Sequence, residues 1–320
     1  MMLHEDRYAF LAILNRVHDV SGVRPDILEK DYYVSMLLRE LAEKQNELPA
    51  YFKGGTALYK AQKSIRRFSE DIDLTVSIEN CSSSQAKRRL EMAAKKYTCL
   101  PRTSDKGMEE DRKGSITAVY DYDPVVPVDE VDPLQRFRHV KVEATSFTVS
   151  EPFTELEVEP VLYSFADESQ RAILRDQYDL APFRIQTIRL ERIFADKILA
   201  AEFYYERELY FDVAKHVYDV SIMLALPAIQ SLLCNSAELL RMIGYKRLEE
   251  TRRIGSDLAD KPFRDYQIFH GLSANKDFEA AFQNFSASFQ SFLAVFLAVF
   301  DAFDAASSIF FEVFFSFMVW

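Results

Sequence analysis

The six-residue segment Asp71–Val76 constrains this chain more than any other. Apolar residues at positions 72, 74 and 76 alternate with polar residues at 71, 73 and 75, and a period of two predicts a β-strand. On a strand, Asp71 and Asp73 point to the same face and repel each other unless a cation neutralises them. Mg²⁺ suits that arrangement, because one or two carboxylates and substrate phosphates commonly hold it. The segment therefore predicts a metal-binding strand, with a solvated strand edge as the alternative for an isolated Asp-x-Asp pair.

A Gly-Gly turn lies upstream of that strand. Glycine is scarce, with 8 in 320 residues, yet Gly54 and Gly55 are adjacent. Two adjacent glycines let the backbone approach a phosphate closely, and N–H groups at the start of a helix can then face it. Thr56 and a short predicted helix at 57–60 follow the pair. The turn and the acidic strand together favour a catalytic centre over a solvated strand edge.

A third carboxylate lies further along the chain. Glu143 interrupts an otherwise alternating apolar strand predicted at His139–Phe147. Nucleotidyl or phosphoryl transfer with two metal ions needs such a carboxylate on a neighbouring strand. Glu143 is therefore a candidate metal ligand beside Asp71 and Asp73, and an exposed strand face is its alternative.

The pattern along the chain changes from mixed to mostly helical. Helical spacing within Glu5–Leu41 predicts N-terminal helices, and strands are predicted near 72–76, 116–122, 139–147 and 156–161. After Asp176 the pattern is helical. We therefore predict an α+β fold in which a small mixed β-sheet core with N-terminal helices occupies residues 1–165. A mostly α-helical C-terminal domain with a Phe-rich helix is predicted at residues 166–320.

Composition excludes several classes of protein. A hydrophobic share of 48% excludes a mainly disordered chain. Three cysteines without a C-x-x-C pair exclude a disulfide scaffold and a zinc site of that type. No P-loop, G-x-G-x-x-G or G-x-S-x-G motif occurs, which argues against Walker NTPases, Rossmann dehydrogenases and serine hydrolases of that type. The charged start at Met1–Arg7 differs from a signal peptide, and a reduced, cytoplasmic location is expected.

Charge is segregated along the chain. The net charge is −11, yet residues 50–113 carry 14 basic against 9 acidic side chains. A predicted helix at Ser82–Lys96 contributes a basic side to this segment. A basic surface near a catalytic strand indicates RNA binding, and a solvated helix face is the alternative.

A seam of phenylalanines marks the C-terminal part. Its members recur at helical spacing: Phe278, Phe282, Phe285, Phe289, Phe292, Phe296, Phe300 and Phe303. The 21 residues Ala280–Phe300 carry no charge, which is long enough for a membrane span. Six Gln, Asn and Ser side chains within that stretch favour an amphipathic helix packed on its own domain or on a partner. No membrane partner is predicted.

Several segments together resemble one family. Glu29–Tyr33, Phe52–Leu58 and Arg67–Leu74 resemble the AbiEii-type toxins, which are similar to polymerase-β-type nucleotidyltransferases. A later family signature, a helix with a characteristic Lys and then Lys/Arg-Asp-h-Tyr-Asp, corresponds to Phe194–Ala201 and Lys215–Asp219. His216 stands where the family usually has Asp, and the phenylalanine seam after residue 285 has no counterpart in the family.

This resemblance implies an enzyme that uses an NTP and Mg²⁺ to transfer a nucleotide to RNA, such as the acceptor end of a tRNA. It implies a toxin of type IV toxin–antitoxin and abortive-infection systems, whose growth arrest a cognate antitoxin relieves. That antitoxin is often a winged-helix regulator. The implied metal ligands are Asp71 and Asp73, and Lys197 and Asp219 match the catalytic residues of the later signature. The implied nucleotide-binding residues are Lys53, Gly54, Gly55, Thr56, Arg67 and Ser69.

Other interpretations of the same residues stay open. The enzyme could modify a protein or a small molecule, or the chain could be an inactive nucleotide-binding protein that uses the phenylalanine seam to bind a partner. Lys197 could be a lysine that reaches solvent from a buried helix face. Asp219 could pair with Lys215, which lies four residues earlier on the same helix face.

Overall fold

The computed structural model describes residues 1–63, 68–128, 138–146, 150–254, 261, 265–272 and 275–290. The chain forms two compact units. The first unit contains residues 1–63 and 68–188, and the second begins at Arg189. The predicted domain division after residue 165 stays a prediction.

The first unit combines helices with one sheet. Its helices are Arg7–Ser21 (α1), Pro25–Lys44 (α2), Gly54–Lys60 (α3), Ser83–Lys95 (α4), Val161–Ser164 (α5) and Glu168–Tyr178 (α6), with 3-10 turns at Leu3–Glu5 and Lys106–Met108. Its strands are Ala50–Lys53 (β1), Ile72–Val76 (β2), Glu110–Arg112 (β3), Ser115–Asp121 (β4), His139–Thr145 (β5), Phe153–Val158 (β6) and Phe183–Ile188 (β7).

The sheet has seven strands in the order β3-β4-β5-β2-β1-β7-β6. Strand β2 is parallel to β5 and β1 is parallel to β7, whereas the other neighbours are antiparallel. The sheet is therefore mixed, and helices precede and follow it. The α+β prediction is confirmed.

Strand β7 contradicts the prediction that the chain is helical from Asp176 onward. Phe183–Ile188 is strand β7, which pairs with β6 along its whole length and with β1 at Thr187. Residues 183–186 alternate between apolar and polar, and the pairing with β6 forms backbone hydrogen bonds along one edge of the strand. The fourth predicted strand is also displaced, because β6 covers Phe153–Val158 instead of residues 156–161.

The two faces of the central strands differ in polarity. Phe52, Ile72, Leu74 and Val142 point to one face and are at most 1% exposed. The side chains that alternate with them on β1, β2 and β5 point to the other face. On that second face, Lys53, Asp73 and Glu143 are half-buried. The sheet therefore packs its apolar face in the core and keeps a polar face accessible.

Helix α2 packs inside the first unit and buries charged side chains together with apolar ones. It begins at Pro25, whose fixed φ suits the first position of a helix. Glu29, Lys30 and Asp31 are each only 1% exposed. The Glu29 carboxylate accepts hydrogen bonds from the backbone N–H groups of Val125 (2.7 Å) and Val126 (3.4 Å). Helix α2 thereby holds the loop that follows β4.

The second unit is helical over its described residues. Its helices are Leu190–Tyr205 (α7), Tyr210–Leu224 (α8), Pro227–Cys234 (α9), Ser236–Ile254 (α10), Gln267–His270 (α11) and Lys276–Gln290 (α12). Phe285 of α12 is 2% exposed, and its ring centroid lies 5.7 Å from those of Phe211 and Tyr218. Phe285 therefore packs on α8, whereas the side chain of Phe289 and the seam members from Phe292 on lie outside the described residues.

The length and hydropathy of the described helices bear on membrane insertion. No single described helix is both long and apolar enough to cross a membrane. Helices α8 and α9 meet the requirement only when they are counted together, and they are bent by 87° relative to each other.

The buried Glu29 predicts a pH dependence of stability. Burial raises the pKa of Glu29 from 4.5 to about 7, although the N–H groups of Val125 and Val126 oppose that rise. Between those values the folded protein binds more protons than the unfolded chain, so this carboxyl group lowers stability as pH rises. Glu29→Gln removes the titration. We expect its free energy of unfolding, relative to wild type, to rise by about 3 kcal/mol between pH 4.5 and 7 and then to level off.

Denaturant unfolding of both proteins at a series of pH values measures this difference. Other titrating groups are common to the two proteins and cancel in the subtraction. A difference that stays constant from pH 4.5 to 7 would show that Glu29 titrates as it does in the unfolded chain.

Candidate active site

A row of polar side chains crosses the accessible face of the sheet. Asp73 on β2 is the register partner of Glu143 on β5, and on its other side it is the partner of Lys53 on β1. Glu143 is in turn the partner of Thr117 on β4. Directly opposed residues on neighbouring strands have Cβ atoms about 5 Å apart. The fold thus brings Asp73 and Glu143 side by side, although seventy positions separate them in the sequence.

Asp71 lies directly before this row. Strand β2 begins at Ile72, one residue later than the sequence pattern predicts, and Asp71 occupies a bend and is exposed. Its position before β2 sets it at the same end of the strand as Asp73. Asp71 is therefore accessible to a ligand at that end of the sheet.

Two carboxylates of the polar row, those of Asp73 and Glu143, are candidate metal ligands. No group of three or more His, Cys, Asp or Glu side chains in the described residues is arranged to hold a metal ion. Asp73 and Glu143 together supply two carboxylates, which is the number that Mg²⁺ takes when substrate phosphates complete its coordination. The donor set therefore fits a cation shared between protein and nucleotide and does not fit a cage made by protein alone.

The Gly-Gly turn lies against the acidic strand. Gly54 directly follows β1 and begins α3 with a φ of +77°, a region that side-chain-bearing residues rarely adopt. A Cβ atom on Gly54 would lie 2.1 Å from Oδ2 of Asp73. Only glycine fits here, because the Asp73 carboxylate occupies the space that a side chain would need.

Thr56 connects the turn to the acidic strand. Its side chain is fully buried, and its Oγ1 forms hydrogen bonds with Oγ of Ser69 (2.9 Å) and with the backbone carbonyl oxygen of Asp71 (2.5 Å). The Thr56 hydroxyl therefore holds the segment that leads into β2. Ser69 is half-buried, and Arg67 lies outside the described residues.

Two further predicted residues lie in the second unit. Lys197 on α7 and Asp219 on α8 form an ion pair with an Nζ–Oδ2 distance of 2.8 Å, and their side chains are 8% and 0% exposed. Lys215 pairs with Asp212 (2.6 Å) and not with Asp219. The two residues from the later family signature thus contact each other across neighbouring helices.

The basic helix α4 packs on the opposite face of the sheet from the carboxylates. Tyr120 is three residues from Thr117 along β4 and so points to the opposite face, where its hydroxyl donates to the Ala94 carbonyl oxygen of α4 (2.7 Å). The Nζ atoms of Lys87 and Lys95 lie 3.9 and 3.0 Å from Oδ2 of Asp111. Part of the positive charge of α4 is therefore neutralised locally.

Sequence analysis missed Lys141, which shares a strand face with Glu143. Lys141 lies two residues before Glu143 on β5 and is half-buried. Burial lowers the pKa of His139 to about 4, and the charges of Lys30 and then Lys141 add to that effect. The alternation of His139–Thr145 was the available signal, since it puts residues 141 and 143 on one face.

Two solved structures are similar to this chain at low sequence identity. MenT4, a nucleotidyltransferase toxin from Mycobacterium tuberculosis, is similar with a TM-score of 0.49 and 14% identity, over 94% of this chain and 98% of that one. JHP933 from Helicobacter pylori gives a TM-score of 0.35 and 15% identity, over 82% of this chain and 96% of that one. No curated protein matches the chain.

A sequence model of one family matches most of the chain. The family is described as the nucleotidyl transferase AbiEii toxin of a type IV toxin–antitoxin system, and the match covers residues 36–307. That range includes the Gly-Gly turn, the acidic strand, Glu143 and the Lys197–Asp219 pair. The chain therefore belongs to the AbiEii nucleotidyltransferase toxin family of type IV toxin–antitoxin systems.

Proposed function

We propose that this nucleotidyltransferase toxin transfers a nucleotide from an NTP to RNA, at the acceptor end of a tRNA, and that it requires Mg²⁺. The observation that carries the proposal is the register that sets Asp73 beside Glu143 and beside Lys53. This arrangement combines a pair of metal-binding carboxylates with a cation that suits a phosphate. Asp71, directly before strand β2, is the third acidic member of the proposed site.

In the proposed reaction, an acceptor hydroxyl attacks the α-phosphorus of the NTP and pyrophosphate leaves. When bound, Mg²⁺ neutralises triphosphate charge and lowers the pKa of the attacking hydroxyl. Asp73 and Glu143 would share the cation with the phosphates, and Asp71, directly before β2, is proposed as a further ligand. The remaining nucleotide contacts are assigned to Lys53, Gly54, Gly55, Thr56, Arg67 and Ser69. Of these, Thr56 acts by fixing the backbone of Asp71, because its hydroxyl is already bonded there.

We also propose that Lys197 and Asp219, on helices α7 and α8 of the second unit, act in the reaction, as the family signature implies. We assign Lys197 to the phosphates or the base of the nucleotide. Asp219 orients the Lys197 ammonium group through the 2.8 Å ion pair. Because both side chains are buried, loss of either charge leaves the other uncompensated.

RNA as the acceptor rests on the family and on the basic balance of residues 50–113. The position of α4 behind the sheet means that its basic side chains are not the acceptor site itself. In this proposal the toxin is cytoplasmic and its antitoxin is a winged-helix regulator; the type IV toxin–antitoxin family supports the presence of an antitoxin. A protein acceptor is the alternative outcome of the experiment below.

The first test is nucleotide transfer by the purified protein. It is incubated with each of four α-³²P-labelled NTPs, Mg²⁺ and total bacterial tRNA. We expect label on tRNA from one or more NTPs, and we expect the Asp71→Asn/Asp73→Asn variant to lose it because the cation loses two ligands. Glu157→Gln, an exposed acidic residue on β6, is the matched control and should retain wild-type labelling.

The same gel separates the alternatives. Label on protein but not on RNA would replace the proposed acceptor with a protein. Nucleotide binding without any transfer would contradict the proposal and leave an interaction protein.

The second test uses the contact between Gly54 and Asp73. Gly54→Ala places a methyl group where the Asp73 carboxylate lies and adds the strain of a positive φ, which costs roughly 1–2 kcal/mol. Displacement of a catalytic group by about 1 Å lowers rates by about 10²-fold. We therefore expect kcat to fall by about that factor while the protein still folds, as measured by transfer assays and circular dichroism.

Gly244→Ala is the control for this substitution. Gly244 lies on helix α10 with nothing within 4 Å of the added Cβ, and alanine is the better helix former. Its activity should equal that of wild type. Full activity of Gly54→Ala would show that Asp73 does not need its position against the turn.

A further inference from the structure

Two adjacent buried residues of helix α2, Lys30 and Asp31, contact strand β5 and helix α3 respectively. Both are 1% exposed, and both belong to the Glu29–Tyr33 segment, for which the sequence indicates no role. Burying a charge is costly unless it is paired and hydrogen-bonded. The contacts of these two side chains therefore show what their burial achieves.

Asp31 holds helix α3 in place. Its carboxylate forms an ion pair with Lys60 at 2.5 Å, with both side chains 1% exposed, and it also accepts a hydrogen bond from the N–H group of Val161 (2.9 Å). Helix α3 has only seven residues, and helices of that length are not stable alone. Its position is therefore set by contacts such as this ion pair.

Helix α3 in turn contacts Asp71 and Asp73, near the start of β2. Lys60 and Thr56 are four residues apart and lie on the same helix face. Thr56 bonds the carbonyl oxygen of Asp71, and Gly54 at the start of α3 lies against the Asp73 carboxylate. A movement of α3 would consequently displace Asp73 on β2 and Asp71 directly before it.

Lys30 holds the neighbouring strand. Its ammonium group donates to the carbonyl oxygen of His139, the first residue of β5. It also lies 4.0 Å from the carboxylate of Glu70, directly before the Asp71–Val76 segment. Lys30 thus links the start of β5, four residues before Glu143, to the segment that enters β2.

Stability alone does not account for these buried charges, because apolar residues of similar size often replace a buried ion pair without loss of stability. We propose that Lys30, Asp31 and Lys60 are positioning residues that fix the Asp73 and Glu143 carboxylates relative to each other for metal and nucleotide binding. This inference rests on the proposed function. It predicts that removing the Asp31–Lys60 charges weakens metal binding in a protein that still folds.

The test compares wild type with Asp31→Asn/Lys60→Met. The double variant leaves no buried charge unpaired in this contact and keeps an oxygen at residue 31 for the Val161 N–H group. Mn²⁺ binding is measured by electron paramagnetic resonance in the presence of a non-hydrolysable NTP analogue, and thermal unfolding is followed in parallel. Substitutions behind metal ligands weaken metal affinity by about 10–100-fold, and we expect a loss of that size, with kcat reduced similarly and the analogue alone bound as before.

A matched pair in the second unit controls for the loss of buried charge as such. Glu202 and Lys261 form an ion pair at 2.5 Å in which Glu202 is fully buried. Glu202→Gln/Lys261→Met should leave Mn²⁺ affinity unchanged. Lys60→Arg retains the charge opposite Asp31 and should restore most of the affinity.

The outcomes separate this inference from the proposed function. Unchanged Mn²⁺ affinity in Asp31→Asn/Lys60→Met would overturn the positioning role, whatever the unfolding temperature does. Wild-type protein that binds no Mn²⁺ with the analogue would overturn the metal-dependent function and the positioning role together. Wild-type binding without transfer to RNA would remove the proposed acceptor only.

Discussion

The parallel pairing of β2 with β5 is the constraint on which the site depends. Two strands that run in the same direction need a long connection, and here the connection contains α4, β3 and β4. The pairing sets Asp73 directly beside Glu143, so that two carboxylates share one face of the sheet. Buried contacts of α2 reach the start of β5 through Lys30 and helix α3 through Asp31.

Local chemistry was predictable from the sequence. Alternation at Asp71–Val76 indicates a strand, and the scarcity of glycine makes the Gly54-Gly55 pair conspicuous; both features depend on neighbouring residues only. The family assignment, the α+β fold and the nucleotidyltransferase activity followed from these motifs and are confirmed. The metal, the acceptor and the roles of individual site residues stay predictions.

Long-range contacts were not predictable in the same way. Strand β7 was missed because its alternation breaks at Gln186-Thr187, and its pairing with β1 and β6 is not visible in its own six residues. The charges of Lys30 and Asp31 look like those of a solvated helix face until their partners, His139 and Lys60, are known. Lys197 and Asp219 were singled out separately, yet their ion pair requires the packing of α7 against α8.

We propose that nucleotide transfer occurs at the row formed by Asp73 and Glu143. The most direct measurement is pyrophosphate release by Glu143→Gln compared with wild type, with the acceptor that the wild-type protein labels. Glu143 is half-buried at the edge of the site, so the variant keeps the fold and loses only a negative charge. We expect the kcat of Glu143→Gln to fall by about 10²-fold or more, in line with losses on removal of one catalytic electrostatic group. Wild-type release by Glu143→Gln would contradict it.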